Sequence, residues 1–215
     1  AASDVYKRQA SRASTCGNMQ LYSLIVTQSR ELREALAPCH FNQPMVTQAP
    51  CVITVCADVH RFSMWCEQRD AEPCYDNFAW FLNGVTDALL AAQNLCVEAE
   101  AHGLGICYLG TTIYTAEEIA RILDLPKGVI PVTTIVVGHP DESPELTDRL
   151  PLDAVVHCEK YHHYTSSEID ELWAEKETSE ETRRLLEENG LPNLAQIFTR
   201  NRYRAEDNLA ISRNY

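Results

Sequence analysis

The sequence predicts an α+β fold for this chain of 215 residues. A continuous apolar run from Cys51 to Ala57 has the length of a buried central strand. A run rich in β-branched residues, Val132 to Val137, indicates a second buried strand. Between them, apolar residues recur every three or four positions from Phe78 to Ala99, as in a long helix with one buried face. Strands and helices therefore both contribute to the core.

The first third of the chain contributes one more strand and one short helix. Alternation over Gln20–Thr27 predicts a strand, and Ser29–Leu36 predicts a helix that ends before Pro38. The segment from Asp58 to Tyr75 is expected to be irregular. Asp76 is expected to cap the long helix that follows it.

The later elements are predicted from a capping motif and a change of composition. Thr115-Ala116-Glu117-Glu118 is a capping box that opens a helix to Leu123. From residue 166 the chain is charged and helical, and no glycine/serine linker precedes this change. We therefore expect a domain over residues 10–165 and a helical arm over residues 166–215.

Charge and hydropathy exclude two classes of partner. The formal net charge of −13 argues against a surface for nucleic acid or anionic membrane, because both are negative themselves. No run approaches the roughly 18 apolar residues of a membrane helix. The sequence predicts neither a nucleic-acid nor a membrane partner.

Nine cysteines are present, and no two have the Cys-x-x-Cys spacing. Several lie inside apolar runs, as free thiols do in a reducing compartment, so we expect a cytoplasmic protein without a disulfide framework. A thiol-based redox or metal protein remains a third hypothesis. No metal site is predicted, because His162 and His163 are adjacent and point to opposite faces of an extended segment.

Glycines and one arginine between residues 99 and 151 form a candidate ligand site. Gly103 and Gly105 can take left-handed conformations that end a helix and turn the chain. Gly110 follows a strand, where backbone N–H groups can approach a ligand closely. Arg149 can fork onto a phosphate. The alternative is a set of strand-edge glycines with a surface arginine.

Several motifs in order carry a family resemblance. They are Asn18-Met19-Gln20, Ala57-Asp58, the helix segment Asp87 to Asn94, the glycine-containing run Ala99 to Gly110, Gly138-His139-Pro140 and Asp148-Arg149-Leu150-Pro151. Together they resemble the FMN-dependent nitroreductase family, especially its long-tailed branch of NADPH-dependent nitro and flavin reductases. The resemblance covers about residues 11–165 and extends more loosely over the tail to residue 215.

The resemblance implies a fold, an assembly and an activity. The fold would be a mixed, mostly antiparallel sheet flanked by helices. The assembly would be an obligate homodimer with two FMN sites, each built from both subunits. NADPH or NADH would reduce FMN, and a small-molecule acceptor such as a nitroaromatic, a quinone or a flavin would then enter the same pocket in a ping-pong mechanism. The flavin supplies the chemistry, so no catalytic side chain is predicted.

The resemblance also implies which residues hold FMN. The predicted cofactor-binding residues are Thr15, Cys16, Asn18, Gln20, Gln43, Tyr108, Leu109, Gly110, Thr111, Thr147 and Arg149. Gln43 would meet the flavin pyrimidine edge, and Arg149 the phosphate. Two positions depart from the family pattern: Cys16 replaces a hydroxyl residue, and Thr147 stands where a lysine is common.

The tail carries a second candidate site. In the long-tailed branch a similar arginine-rich segment receives the adenosine 2′-phosphate of NADPH. Arg200, Arg202 and Arg204 lie within five residues and would form the matching positive patch. The alternative is a solvated basic face that balances the acidic run before it.

The beginning of the chain departs most from the family. The family opens with a helix and an Arg-Ser-x-Arg loop that binds the phosphate, whereas residues 1–9 match nothing in the pattern. We interpret residues 1–9 as an extraneous or truncated start. This difference motivates an alternative function, a degenerate relative that binds flavin or another ligand without turnover.

Overall fold

The computed structural model describes the backbone of residues 2–214 and the side chains of residues 5–213. It contains two compact units, which divide between residues 142 and 143. The domain boundary that the sequence predicts, between residues 165 and 166, stays a prediction.

The first unit is built on a four-stranded sheet in the order β1-β2-β4-β3. The strands are β1 (Tyr22–Thr27), β2 (Cys51–Asp58), β3 (Gly105–Leu109) and β4 (Val129–Gly138). All three strand pairings within the described residues are antiparallel. The predicted α+β class with a mostly antiparallel sheet is confirmed.

Six α-helices belong to the described part of this unit. They are α1 (Ala2–Ala10), α2 (Arg30–Leu36), α3 (Met45–Gln48), α4 (His60–Glu67), α5 (Phe78–Ala101) and α6 (Ala116–Ile122). Short 3₁₀ turns lie at Cys16–Asn18, Ala37–His40 and Gly110–Tyr114. Tyr6 of α1 is buried in the same core cluster as α5. The expectation about residues 1–9 stays a prediction.

Helix α5 lies close to the sheet because its inner face is made of small residues. Its fully buried positions include Ala88, Ala91 and Ala92. The approach is tightest at Gly84, where an added Cβ would lie 3.1 Å from the Cβ of Ala57 and 3.2 Å from the carbonyl oxygen of Leu21. This contact brings the N-terminal part of α5 against the end of β2 and the residue before β1, next to the 15–20 loop.

The second unit is helical. It contains α7 (Ser166–Thr178), α8 (Glu180–Asn189), α9 (Leu194–Ile197) and α10 (Ala205–Asn214), whose last residue is grouped with the first unit. A 3₁₀ turn lies at Leu152–Ala154 and a π-helical turn at Phe198–Arg202. Thr165 and Glu168 form a reciprocal capping box at the start of α7.

Four local expectations were wrong. The segment predicted to be irregular contains helix α4, and Asn77 rather than Asp76 caps α5, through a bond from the Trp80 amide to Asn77 Oδ1. Thr115 precedes α6 but forms no capping bond; its hydroxyl donates to the Cys39 carbonyl at 2.8 Å. Gly103 is left-handed as expected (φ +73°), whereas Gly105 has no positive φ and is the first residue of strand β3.

Within the described chain, no helix is both long and apolar enough to cross a membrane.

Candidate functional site

The loop before β1, residues 15–20, contains four predicted cofactor residues (Thr15, Cys16, Asn18 and Gln20) in an unusual backbone. Gly17, Asn18 and Gln20 all have positive φ, from 55° to 56°. Such a conformation is strained for the two residues that are not glycine, and it persists only where neighbouring structure fixes it. The loop is therefore held by contacts from outside itself.

Asp87 provides the first of these contacts. Its side chain is 1% exposed, and its two carboxylate oxygens accept from the Cys16 amide at 2.8 Å and the Leu21 amide at 3.0 Å. Bonds from backbone N–H groups to an ionised carboxylate are stronger than neutral ones. One side chain on α5 thus fixes both ends of the loop.

Arg61 provides the second contact, from helix α4. Its Nη2 donates to the carbonyl oxygens of Gln20 at 2.5 Å and Tyr22 at 3.1 Å. Its Nη1 lies 3.4 Å from the buried carboxylate of Asp58, which also accepts from the Ser23 hydroxyl. Sequence reasoning missed both Arg61 and the role of Asp87, because neither lies near the loop in the sequence.

The second group of predicted cofactor residues surrounds Gln43. Phe41 and Asn42 precede it with φ of +54° and +56°. The turn is fixed by the Asn42 amide, which donates to the Ala37 carbonyl, and by the Gln43 amide, which donates to the His40 carbonyl. The half-buried Gln43 side chain has no hydrogen-bond partner among the described residues, so its amide can serve a ligand.

The turn after β3 lies against this group. The His40 Nδ1 is 2.8 Å from the Thr111 hydroxyl oxygen, and the Phe41 and Tyr114 rings meet edge to face at 6.0 Å. A Cβ at the exposed Gly110 would meet nothing within 4 Å. Open space therefore faces the backbone where a ligand is expected.

Tyr108 and Leu109 form the end of β3 that leads into this turn. The Tyr108 hydroxyl lies 3.4 Å from the side-chain oxygen of Gln93, and burial raises the pKa of Tyr108 above its ordinary value. Leu109 is buried in the core. The side chain of Leu109 therefore supports the turn from inside, and a ligand would meet only its backbone.

The two groups lie at opposite edges of the sheet. The 15–20 loop leads into edge strand β1, while the 110–114 turn leaves edge strand β3, and β2 and β4 lie between them. The structure therefore does not bring all the predicted cofactor residues of the first unit into one cluster. It makes two clusters, residues 15–20 and residues 41–43 with 108–111.

Thr147 and Arg149 belong to the second unit. Arg149 is exposed, and its Nη1 donates to the Thr147 hydroxyl at 2.5 Å and to the Asp148 carbonyl at 2.8 Å. Asp148 in turn accepts from Lys176 at 2.7 Å, and this bond lowers the pKa of Asp148. The loop thus orients Arg149 through its own neighbours.

The three tail arginines are exposed but differ in their partners. The Arg202 guanidinium lies over the Phe198 ring at 5.6 Å, and Phe198 stacks on Tyr203. Arg204 forms a two-point bond to Asp207, at 2.7 and 3.0 Å, and its Nη1 lies 3.1 Å from Glu206. Arg204 would have to exchange these carboxylates for a phosphate. No described residue forms an ion pair with Arg200 or Arg202.

The thiols differ in accessibility. Cys39, Cys51, Cys56 and Cys96 are buried, and burial raises the pKa of each thiol, to about 12 for Cys56. A buried thiol with a raised pKa is a poor nucleophile. In the described part of the chain, no three His, Cys, Asp or Glu side chains are grouped as metal ligands.

FMN is consistent with the 41–43 and 108–111 cluster. A heteroaromatic ring edge presents alternating donors and acceptors, which the amide of Gln43 can match. The open space at Gly110 admits a planar group beside the backbone. Next to this cluster lies a buried ring nitrogen, His40 Nε2, that has no hydrogen-bond partner among the described residues.

Comparison with known proteins gives concordant results. Residues 6–139 match the model of the Nitroreductase family. An FMN reductase (NADPH) of Bacillus subtilis is 33% identical over 161 residues, which are 74% of this chain and 65% of the relative. An NADPH-dependent oxidoreductase of Staphylococcus aureus is 36% identical over 154 residues, 70% of this chain and 61% of the relative. The chain thus spans less than two thirds of either curated relative.

A solved structure agrees more closely. A protein of Bacteroides fragilis NCTC 9343 is 49% identical, with a TM-score of 0.96 over 98% of this chain and 86% of that one. The family model matches well over half of the sequence and includes both clusters and helix α5. The chain belongs to the Nitroreductase family.

Proposed function

We propose that this protein is an FMN-dependent oxidoreductase that takes electrons from NADPH or NADH and reduces planar acceptors such as nitroaromatics, quinones or free flavins. The observation that carries the proposal is the positive φ of several residues in the 15–20 loop and of the two residues before Gln43, because both places adjoin residues expected to hold the flavin. Strained backbone fixed from outside is characteristic of preorganised binding sites. The name of the Bacillus subtilis relative, an FMN reductase (NADPH), supports the same activity.

The chain's own residues would bind and orient the ring. When bound, FMN supplies the electron transfer between nicotinamide and acceptor. The Gln43 amide would pair with the polar edge of the ring, and the open backbone at Gly110 would lie beside it. Arg149, held by Thr147, would bind the phosphate with a charge-assisted hydrogen bond. No side chain is assigned an acid or base role.

We also propose a cytoplasmic homodimer in which each FMN site uses both subunits. Its support is the position of the two clusters on opposite edges of the sheet, since a second protomer would place its 15–20 loop beside residues 41–43 and 108–111 of the first. Exposed apolar residues on α5, such as Phe78, Leu82 and Val97, are suited to an interface. We expect a dimer at micromolar concentration by light scattering. A monodisperse monomer would contradict this assembly.

The central experiment is spectroscopic. The protein is purified with FMN added, freed of unbound flavin, and its absorption spectrum is recorded before and after anaerobic NADPH. We expect bound flavin that bleaches at a rate insensitive to thiol blocking. The absence of bound flavin, or bound flavin that NADPH does not bleach, would support the degenerate, non-catalytic alternative. Bleaching that is lost on thiol blocking would support a thiol-based mechanism.

The phosphate role of Arg149 gives a quantitative prediction. Arg149→Ala should weaken FMN binding by about 1.5–3 kcal/mol, the range for a hydrogen bond to a charged group. Titration of the FMN-free protein with FMN measures it. Arg213→Ala removes an exposed charge from the same unit and serves as the control, with an expected effect below about 0.5 kcal/mol. Equal dissociation constants for Arg149→Ala and wild type would assign Arg149 a surface role.

The tail gives a prediction about the electron donor. If Arg202 and Arg204 bind the 2′-phosphate, the wild type should prefer NADPH, and the double alanine variant should raise KM for NADPH far more than for NADH. Because Asp207 neutralises Arg204, the single variant Arg202→Ala should cause most of the change. Steady-state kinetics with both donors test this. An equal rise of KM for NADPH and NADH would instead assign the tail a purely structural role.

A further inference from the structure

His40 is a buried titratable residue to which the proposed activity assigns no role. Its side chain is fully buried, and it lies between the two turns that form the second cluster. Its carbonyl accepts from the Gln43 amide at 3.1 Å, while its Nδ1 meets the Thr111 hydroxyl oxygen at 2.8 Å. One residue therefore connects the segment expected at the ring edge with the segment expected beside the ring.

The surroundings of the imidazole select one tautomer. Nε2 is buried and has no hydrogen-bond partner among the described residues. A proton on Nε2 would be a buried N–H donor without an acceptor. With the proton on Nδ1 instead, Nε2 has only an unused acceptor lone pair. Buried unpaired donors are the rarer and more costly defect. This asymmetry favours the tautomer with its proton on Nδ1, in which Nδ1 donates to the Thr111 hydroxyl oxygen.

This donation decides what Thr111 can do. Once its oxygen accepts from His40, its own hydrogen is left to donate elsewhere, and no described residue takes it. The neighbouring hydroxyl behaves differently. Thr112 is 1% exposed and bonds to the Leu109 carbonyl and the Thr134 hydroxyl, both at 3.0 Å. The Thr112 hydroxyl is bonded within the fold, whereas the Thr111 hydroxyl, next to the open Gly110, still has a hydrogen that it can donate to a ligand.

We propose that His40 is a positioning residue that makes Thr111 a hydrogen-bond donor to an acceptor atom of the bound flavin ring. The inference rests on the proposed function, since it needs FMN in this cluster. A donor aimed at the ring stabilises the negative charge that develops as the ring gains electrons. The buried bond from His40 polarises the hydroxyl and strengthens its donation.

The first test needs no cofactor. In the ¹⁵N-labelled, FMN-free protein, the imidazole shifts of His40 should show a protonated Nδ1 and a bare Nε2. A proton on Nε2 would overturn the inference, because the Thr111 hydrogen would then be donated back to His40. This measurement is independent of whether the protein turns over.

The second test measures the reduction potential of the bound FMN. Thr111→Val should make two-electron reduction about tenfold less favourable, which is about 30 mV towards more negative potential. Thr111→Ser should keep the wild-type potential. Thr112→Val is the matched control, because it removes an adjacent hydroxyl that is bonded within the fold. It should lower the melting temperature and leave the potential unchanged.

Variants of His40 separate positioning from packing. His40→Asn keeps an N–H donor near the place of Nδ1 and should retain the wild-type potential, whereas His40→Leu should shift it as Thr111→Val does. Bound flavin with the same potential in Thr111→Val and wild type would overturn the inference and leave the proposed function standing. Failure of the wild type to bind FMN would overturn both.

Discussion

Replacing Asp87 with alanine is expected to lower the free energy of unfolding by about 3–5 kcal/mol, because two backbone N–H groups lose a charged partner. These are the amides of Cys16 and Leu21. Chemical denaturation measures the loss. FMN binding should weaken as well, since the left-handed conformation of Asn18 and Gln20 would no longer be fixed.

Two further variants sharpen this result. Asp87→Asn keeps the size of the side chain but offers one acceptor oxygen and places an NH₂ group against the second amide, so we expect an intermediate loss of about 2–3 kcal/mol. Glu100→Gln removes an exposed carboxylate from the same helix and should change the unfolding free energy by less than about 0.5 kcal/mol. A loss below about 1 kcal/mol in Asp87→Ala would show that the loop holds its shape without the carboxylate.

Acid should destabilise the protein through His40. Burial lowers the pKa of His40 from its ordinary 6.5 to about 4. As the pH falls below about 6.5, His40 becomes protonated in the unfolded chain, whereas in the folded protein it stays neutral until about pH 4. The contribution of neutral His40 to the free energy of unfolding is therefore fully present above about pH 6.5. About 3 kcal/mol of it is lost between pH 6.5 and pH 4.

Comparison of variants isolates this contribution from that of the carboxylates. The His40→Gln variant should have a lower unfolding free energy at pH 7 but lack this part of the decline towards pH 4. His139→Gln, which changes an exposed histidine, should keep the full decline. Parallel curves for wild type and His40→Gln across this range would contradict the lowered pKa.

The long elements could be predicted because their signal is local. The three-and-four spacing of helix α5 and the apolar runs of β2 and β4 are visible in the sequence, and the structure confirms all three. Capping was less predictable. The Thr115 hydroxyl bonds to Cys39, which is distant in the sequence, and the Asn77 oxygen caps α5 where Asp76 was expected.

The sequence predicted which segments form the candidate site, but not which distant side chains hold those segments in place. Family motifs pointed to residues 15–20 and to Gln43, and the structure has positive φ values within the first segment and directly before Gln43. No local pattern shows that Asp87, Arg61 and His40 hold those turns, since each acts across a long stretch of chain. Positive φ at Gln20 and Phe41 was equally hidden, because neither is a glycine.

The Asp87 carboxylate has a consequence for how this family member can diversify. Its two oxygens fix the spacing of two amides five positions apart in the sequence. An inserted or deleted residue between Gly17 and Gln20 would move one amide away from its oxygen, whereas a changed side chain there would leave both bonds intact. The loop can therefore acquire new ligand preferences by substitution at constant length, and libraries that vary its composition should yield more folded proteins than libraries that vary its length.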